Sequence, residues 1–291
     1  MKLGLFVSGG LGLDVMKQIL TLYTPSFIAT DKGSTDICTL ANQNRIRLFT
    51  GNPRNGKLLK FLEEEKFDLA LSVNYLFIID KPVLDKFIQA VNFHGSLLPK
   101  YRGRTPHVWA IINNEKETGV TAHLIDEGCD TGPVIRQVSI PISDNCTGAD
   151  ILKEYAAVYP QMVLEMLNLF ENEKLETTPQ DESKATYFGK RTPQDGLINW
   201  EWSKERIRNW IRAQAYPYPG AFSYYNKKKM IIDQVSFSDL GYHYATKNGT
   251  IISFQADGKP VVKVCNGCLV LENLRETETV FLKETSFHDS N

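Results

Sequence analysis

The sequence predicts an α/β protein: a Rossmann-like, mostly parallel sheet with helices on both faces, followed by a smaller β-rich domain, an OB-like barrel. Three observations predict it. Short apolar runs alternate with stretches of helical spacing from Leu3 to Phe170, the signature of a crossover-connected sheet. Several runs, Asp68 to Val73 among them, are almost wholly apolar, as strands covered on both faces are. Beyond a polar stretch the pattern changes to short apolar segments separated by turn residues, which suits a small β domain.

The elements follow in order. Leu3 to Val7 is an apolar run that ends in Ser8-Gly9-Gly10-Leu11-Gly12 and passes into the helical spacing of Leu13, Val15, Met16, Ile19 and Leu20. Phe27-Ile28-Ala29, Ile46 to Phe49 and Leu69 to Val73 repeat the strand, with a charged helix near Leu58 to Glu65. Gly9, Gly10 and Gly12 lack the third glycine of the dinucleotide fingerprint, so no nicotinamide cofactor is inferred. Either the turn is only a turn, or its free amides hold a small phosphate or nucleotide at the helix start. An amphipathic helix from Ala149 to Phe170 closes the first domain, and polar Glu171 to Lys184, with Pro179 inside it, reads as a linker. The expected division is residues 1–184 and 185–291. In the second domain Ile207 and Ile211 mark a helix; Met230 to Ile232, Thr250 to Phe254, Val261 to Val264 and Cys268 to Leu271 mark strands.

Composition narrows the function classes. With 291 residues, 42% hydrophobic and 23% charged, the chain is ordinary globular material for a large domain plus a small one. A formal charge of -1, from 33 basic and 34 acidic side chains, gives no field that would hold a polyanion. Nucleic acid is therefore not the expected partner. Met1 to Val7 runs directly into Ser8-Gly9-Gly10 without the pattern of a signal peptide, and no apolar run reaches membrane-spanning length. The expectation is a cytoplasmic protein without a membrane partner. Five cysteines do not make a disulfide framework, and Cys38, Cys129 and Cys146 are isolated, so reduced thiols are expected. Cys265-Asn266-Gly267-Cys268 has the spacing of half a zinc site, yet one such pair supplies too few ligands for a closed tetrahedral site, and no metal is expected. Asn-Gly between two apolar runs reads instead as a tight hairpin turn, with the two cysteines opposite each other.

The stretch that carries chemistry is Val91-Asn92-Phe93-His94-Gly95-Ser96-Leu97-Leu98-Pro99-Lys100-Tyr101-Arg102-Gly103-Arg104. Ala90 to Phe93 reads as the end of a strand, so Asn92 and His94 point to one side by the period of two. The glycine, proline and basic residues after them form a loop at the strand's C-terminal end, where open α/β sheets place ligands. A second strand, Gly119 to Ile125, delivers Asp126-Glu127-Gly128-Cys129-Asp130-Thr131-Gly132 beside the first site if the two strands are neighbours. Singly, each residue has a plainer reading: Asn92 caps a turn, His94 and His123 are satisfied core imidazoles, and Asp130 is a turn residue before Thr-Gly.

Taken together, the pattern resembles the folate-dependent formyltransferases, in which an Asn-x-His pair precedes Ser-Leu-Leu-Pro and an Asp-x-Gly loop lies downstream. Here these are Asn92-Phe93-His94, Ser96-Leu97-Leu98-Pro99 and Asp130-Thr131-Gly132. Phe188-Gly189-Lys190-Arg191-Thr192-Pro193 and Ile211 to Phe222 look like the second domain shared by methionyl-tRNA formyltransferase and the formylating part of the UDP-4-amino-4-deoxy-L-arabinose pathway enzyme. The resemblance implies transfer of a formyl group from N10-formyltetrahydrofolate to a primary amine, with Asn92, His94 and Asp130 catalytic. Such chemistry generates an oxyanion and a cationic nitrogen, so a site must stabilise one and deprotonate the other. Asn92 offers an amide donor; His94 can accept the amine's proton or donate to the oxygen; Asp130 can hold the imidazole and help return a proton to the departing folate nitrogen. Whether His94 or Asp130 moves the proton stays open. By resemblance the pterin lies against the loop from Asn74 to Ile78 and the loop from Asp126 to Asp130, largely on backbone groups, with Ser72, Tyr75, Phe77, Ile78, Asp126 and Asp130 as contacts.

The acceptor is narrowed in the same way. A second domain argues against glycinamide ribonucleotide, whose enzyme is usually a single domain. Thr30 to Asp36 lacks the long basic insertion that resembles a tRNA clamp, and Lys227-Lys228-Lys229 reads as a solvated hairpin tip. His94 to Arg104 followed by Thr105-Pro106 resembles the nucleotide-sugar N-formyltransferases, which implies a UDP-, dTDP- or GDP-linked amino sugar, of 4-amino-4,6-dideoxy type, destined for a surface polysaccharide. Arg104 suits a diphosphate through its guanidinium fork, with Ser8, Gly9, Gly10 and Lys190 as further candidates for the same surface. The alternatives are a methionyl-tRNA formyltransferase and a catalytically silent folate- or nucleotide-binding module; the intact Asn92, His94 and Asp130 argue against the second. The resemblance also implies a symmetric homodimer through the second domain.

Overall fold

The computed structural model describes residues 1–275 and 279–288. In chain order the elements are β1 (Leu3–Val7), α1 (Gly9–Ile19), β2 (Phe27–Thr30), α2 (Thr35–Gln43), β3 (Arg47–Thr50), α3 (Lys57–Leu62), β4 (Phe67–Val73), α4 (Lys81–Leu84), β5 (Phe87–His94), β6 (Arg102–Gly103) and α5 (Pro106–Ile112). There follow β7 (Glu117–Leu124), β8 (Val134–Pro141), α6 (Gly148–Glu171), β9 (Tyr187–Phe188), α7 (Lys204–Ala213), β10 (Ala221–Tyr225), β11 (Lys228–Ser238), β12 (Ile251–Phe254), β13 (Pro260–Val264) and β14 (Gly267–Leu274).

These elements pack into two units, neither contiguous in sequence. The first comprises Met1–Pro106, Thr118–Pro141 and Lys153–Phe188; the second comprises His107–Glu117, Ile142–Leu152 and the chain from Gly189 onward. A single boundary after residue 184 lies near the last of these junctions and leaves out the two earlier excursions. Long-range pairs hold those excursions in the second unit: Arg212 donates to the carbonyls of Ser143 and Cys146, and His107 meets the Tyr218 hydroxyl at 2.8 Å. No periodicity in a linear chain encodes such pairs.

The first unit is built on a seven-stranded sheet of order β3-β2-β1-β4-β5-β7-β8. The five strands from β3 to β5 run parallel, while β7 pairs antiparallel with β5. Every residue of β1 and β2 is buried, which is why these segments are apolar without alternation. Phe27 and Phe67 stack edge to face at 5.1 Å, and Phe6 takes the Tyr75 ring at 5.4 Å, so the loop after β4 is anchored in the core. The order of strands reverses between β1 and β4, and the C-terminal ends of β4 and β5 lie beside that crevice.

The second unit carries a five-stranded antiparallel sheet, β10-β11-β14-β13-β12. Its two edges are joined by the last described residues. His288 exchanges both backbone hydrogen bonds with Tyr224 of β10, while Thr285 and Phe287 bond Ile251 and Gly249 at the β12 edge, giving the barrel-like closure expected. Ser203 caps α7 by accepting from Arg206 N–H, and Asn266 Oδ1 accepts from Lys204 N–H at 2.8 Å. The hairpin expected at the cysteine pair exists with a different centre. Val264 pairs with Gly267, which puts exposed Cys265 in the turn beside Asn266 and buried Cys268 opposite Lys263, so the two cysteines do not face each other. Asn266 is held by α7 through Lys204 and Glu205, and those bonds select the turn centre. No helix among the described residues is long and apolar enough to cross a membrane.

Candidate active site

Strand pairing assembles the site. Ser72 of β4 lies opposite Asn92 of β5, and Asn92 and His94 lie opposite His123 and Thr121 of β7. The condition set by the sequence, that the two motif strands be neighbours, is met. Ser96-Leu97-Leu98-Pro99 then makes a pinned turn: Thr121 Oγ1 donates to Ser96 O at 2.6 Å, Leu98 N–H donates to Thr121 Oγ1, and Gln137 Nε2 donates to Leu98 O at 2.8 Å. The turn returns the chain as β6, which pairs with β9, so Tyr101 and Gly103 face back toward the end of β5.

Asp130 stands where these pieces converge. Its Oδ2 accepts from Gly103 N–H at 2.9 Å and lies 3.5 Å from His94 Nδ1; its Oδ1 is 3.4 Å from Asn92 Nδ2 and 3.7 Å from His123 Nε2. Asn92 also donates to His123 Nε2 at 3.1 Å, which leaves that ring's proton on Nδ1, bonded to Leu124 O at 2.8 Å. His94 Nε2 donates to Tyr101 O at 2.8 Å, so in the neutral ring the free lone pair sits on Nδ1, beside Asp130.

Electrostatics separates the two titratable partners. Burial alone would raise the Asp130 pKa, but His94, His123 and the Gly103 amide together outweigh it and hold the carboxyl well below the usual carboxylate range. Asp130 is ionised at any physiological pH. His94, 7% exposed, moves the other way: burial lowers its pKa more than Asp130 and the Tyr101 carbonyl raise it, so at neutral pH it is an unprotonated base. A neutral imidazole backed by a fixed carboxylate can accept a proton at Nδ1 and stabilise the cation that results.

Left-handed backbone, found also elsewhere in the chain, occurs here three times outside glycine. Tyr101 (φ 62°), Thr105 (φ 50°) and Asp130 (φ 56°) are left-handed without being glycine, and Gly103 (φ 100°) lies between the first two. A Cβ on Gly103 would fall 2.4 Å from Phe188 O. Such conformations persist where surrounding structure over-determines them, and they cluster at functional sites.

The remaining candidate residues are placed as follows. Ser72 is buried, Tyr75 and Phe77 are half-buried with rings 5.5 Å apart, and Ile78 is 64% exposed. The Tyr75 hydroxyl is buried without a hydrogen-bond partner. Asp126 organises its own loop, with Oδ1 accepting from Gly128 N–H at 3.0 Å and Thr131 Oγ1 at 2.6 Å. At the glycine turn, Gly9 N–H is already bonded to Ser34 Oγ at 2.9 Å, Ser8 is buried, and Gly10 is exposed. Arg104 is exposed and donates to Leu76 O at 2.7 Å, tying the loop after β4 to the loop after β6. Lys190 is exposed and belongs to the second unit. Among the described residues no group of three or more His, Cys, Asp or Glu side chains could hold a metal ion.

Sequence patterns do not point to three further residues at this site: Arg102, Gln180 and Thr121. Arg102 is wholly buried and forks onto Glu182, with Gln180 Oε1 2.8 Å from its Nη2. The stretch expected to be a linker is therefore packed: Thr178 bridges Val134, and Gln180 reaches the carbonyls of Asp130 and Gly132. The only signal for Arg102 is its place between two residues whose backbone is used, and polar Gln180 has none.

Comparison with known proteins adds lineage to this geometry. A family model described as formyl transferase matches residues 27–167, and one described as the formyl transferase C-terminal domain matches residues 190–288. The chain belongs to the formyl transferase family. Among curated family relatives it is 38% identical over 208 residues to the bifunctional polymyxin resistance protein ArnA of Wigglesworthia glossinidia brevipalpis, a match covering 70% of this chain and 31% of that protein. The chain thus spans about a third of that relative's length. Solved formyl transferases share the fold. The N-formyltransferase from Helicobacter canadensis, in complex with folinic acid and dTDP-3-aminofucose, superposes with a TM-score of 0.73 at 24% identity, covering 94% of this chain and 99% of that one. WlaRD, a sugar 3N-formyl transferase solved in the presence of dTDP and 5-N-formyl-THF, gives 0.71 at 22%, covering 96% and 99%. Methionyl-tRNA formyltransferase from Clostridium thermocellum gives 0.57 at 18%, covering 94% and 100%.

Proposed function

We propose that this protein transfers the formyl group of N10-formyltetrahydrofolate to the primary amine of a nucleotide-linked amino sugar, of the 4-amino-4,6-dideoxy kind used in surface polysaccharides. One observation carries the reading: an amide, a neutral imidazole and an ionised carboxylate from separate segments converge at the end of β5. Asn92 Nδ2 is the donor for the oxygen that gains negative charge. His94 Nδ1 takes the amine's proton, Asp130 Oδ2, 3.5 Å away, stabilises the resulting imidazolium, and the pair returns the proton to the folate nitrogen as its bond to the formyl carbon breaks. This ordering follows from the Tyr101 carbonyl, which occupies the proton on Nε2. His123 holds the Asn92 amide in place.

The residues beside this centre fit a reduced pterin. Tyr75 has a buried hydroxyl without a partner, and Phe77 and Ile78 offer partly exposed apolar surface on a loop tied by Arg104 to the β6 loop. A flat heterocycle with a polar edge satisfies both features, and when bound it supplies the activated formyl carbon. The nucleotide-sugar acceptor is supported by the relatives: of the two solved structures with TM-scores of 0.73 and 0.71, one is an N-formyltransferase holding dTDP-3-aminofucose and the other a sugar 3N-formyl transferase. The short loop between β2 and α2 supports it too. Asp31, Ser34 and Gly9 bond to one another there, which leaves no long basic arm for tRNA.

The test incubates the protein with N10-formyltetrahydrofolate and a panel of dTDP-, UDP- and GDP-linked 4-amino and 3-amino sugars, together with charged initiator tRNA. Folate absorbance and product mass are followed. Formylation of a nucleotide-linked 4-amino sugar is the expected result. Formylation only of a 3-amino sugar would move the amine, formylation only of tRNA would replace the acceptor class, and folate binding without turnover would mean a silent binding module.

A further inference from the structure

The segment after α6 has no part in the reaction as described above, yet it holds the reacting carboxylate. Gln180 uses its whole amide. One face of Nε2 donates to Asp130 O at 2.9 Å and the other to Gly132 O at 2.7 Å, while Oε1 accepts from Arg102 Nη2 at 2.8 Å and Nε at 3.2 Å. Arg102 fixes which end of the amide faces which way, because a guanidinium can meet only the oxygen. Arg102 is itself immobilised: wholly buried, forked onto Glu182, and bonded to the Tyr187 hydroxyl. Its backbone N–H donates to Thr186 O at 2.9 Å, and the next residue, Gly103, donates its N–H to Asp130 Oδ2.

Asp130 is thus held twice by one assembly, at its carboxylate through Gly103 and at its backbone through Gln180. The backbone hold is needed because Asp130 is in the left-handed region, unfavourable for a residue with a Cβ, and two residues later Gly132 passes so close to Leu124 O that a Cβ would fall 1.8 Å from it.

We propose that Gln180 is a positioning residue for the reaction: braced by Arg102, it clamps the Asp130 turn so that the carboxylate stays against His94 Nδ1. The inference rests on Asp130 being the working carboxylate. It does not depend on the identity of the acceptor.

The test compares Gln180→Ala, Gln180→Glu and Asp130→Asn, alone and in combination. Glu keeps the oxygen that Arg102 binds but loses both donors to the carbonyls, so it separates clamping from packing if the Ala variant fails to fold. Two readouts are used. In the first, histidine resonances are followed by NMR titration, with His94→Gln identifying the one that matters. The charged and titratable groups that face His94 are Asp130 and His123, and Asp130 is the one that raises its proton affinity. His94 in Gln180→Glu should therefore titrate at lower pH than in the native protein, moving toward its position in Asp130→Asn. In the second, kcat should fall about 10–100-fold with KM for donor and acceptor nearly unchanged, the pattern of a reacting group held out of place while substrate binding is intact. Adding either Gln180 change to Asp130→Asn should cost nothing further. Native His94 titration in a folded Gln180→Glu protein overturns the inference, as does a kcat loss that repeats in full in the Asp130→Asn background. Full activity of Asp130→Asn itself would overturn the reading of Asp130, and this inference with it; loss in Asp130→Asn beside native behaviour of Gln180→Glu would overturn this inference alone.

Discussion

On the proposed reading, Asn92, His94 and Asp130 take different roles because their surroundings differ. Asn92 Nδ2 donates to His123 Nε2 at 3.1 Å and lies 3.4 Å from Asp130 Oδ1, so in the proposed reaction the longer of these bonds is exchanged for one to the nascent oxyanion. Replacement of Asn92 by Ala should lower kcat about 10²–10³-fold, since removing one oxyanion donor typically costs that much; a single-turnover assay with saturating donor checks it. The His94–Asp130 pair predicts a pH effect. With His94 as the proposed base the reaction needs it unprotonated, and burial lowers its pKa from 6.5, so the acid limb of the kcat/KM profile should lie below pH 6.5. Asp130 opposes that lowering. Asp130→Asn should therefore shift the acid limb to still lower pH while reducing the maximum rate, and a pH–rate series on both proteins reads the direction. At this scale the sequence is informative about Asn92, His94 and Asp130, because a short motif carries their identities. It is silent about Gln180 and Arg102, whose importance comes from hydrogen bonds spanning 50 and 80 positions.

The elements carry a second kind of information. β1, β2, β4 and β5 are legible as apolar runs, and α6 as an amphipathic stretch, because burial imposes its period on composition. β6 and β9, two residues each, are not: they pair with each other alone, and no period exists over two residues. They nonetheless bring Tyr101 O and Gly103 N–H to the site. Turn chemistry is read correctly at Lys227-Lys228-Lys229, which lies at a hairpin tip. There Asn226 (φ 48°) and Lys227 (φ 61°) are both left-handed, between the paired residues Tyr225 and Lys228. A two-residue turn of this kind favours Asn followed by Gly. Lys227→Gly should stabilise the protein by about 0.5–1 kcal/mol, the relief of left-handed strain less the entropy of glycine, measured by denaturant unfolding.

For the molecule as a whole, stability should respond to acid through a histidine other than the proposed base. His107, in the second unit, is buried against the Tyr218 hydroxyl, and burial lowers its pKa to about 4. An unfolded histidine binds its proton near pH 6.5, so between pH 6.5 and 4 the unfolded chain holds a proton that the folded chain refuses. The contribution is present in full above pH 6.5 and is lost as pH falls; by pH 5 the loss reaches about 2 kcal/mol. His107→Gln, which keeps a partner for Tyr218, should be less sensitive to pH over that interval, and unfolding measured at pH 7 and pH 5 on both proteins checks the difference.

By itself the sequence determined the sheet class, a second β domain, the family motif and the candidate residue types for the chemistry, since each is written in local composition or contiguous spacing. Only the tertiary structure decided that β5 and β7 are neighbours, that segments 107–117 and 142–152 belong with the C-terminal unit, and that the stretch after α6 bonds to the Asp130 turn. The physical reason is the range of the forces involved. Burial acts on every residue of a strand and leaves a periodic record, whereas a single hydrogen bond between distant residues constrains one side chain at each end and leaves no pattern around it.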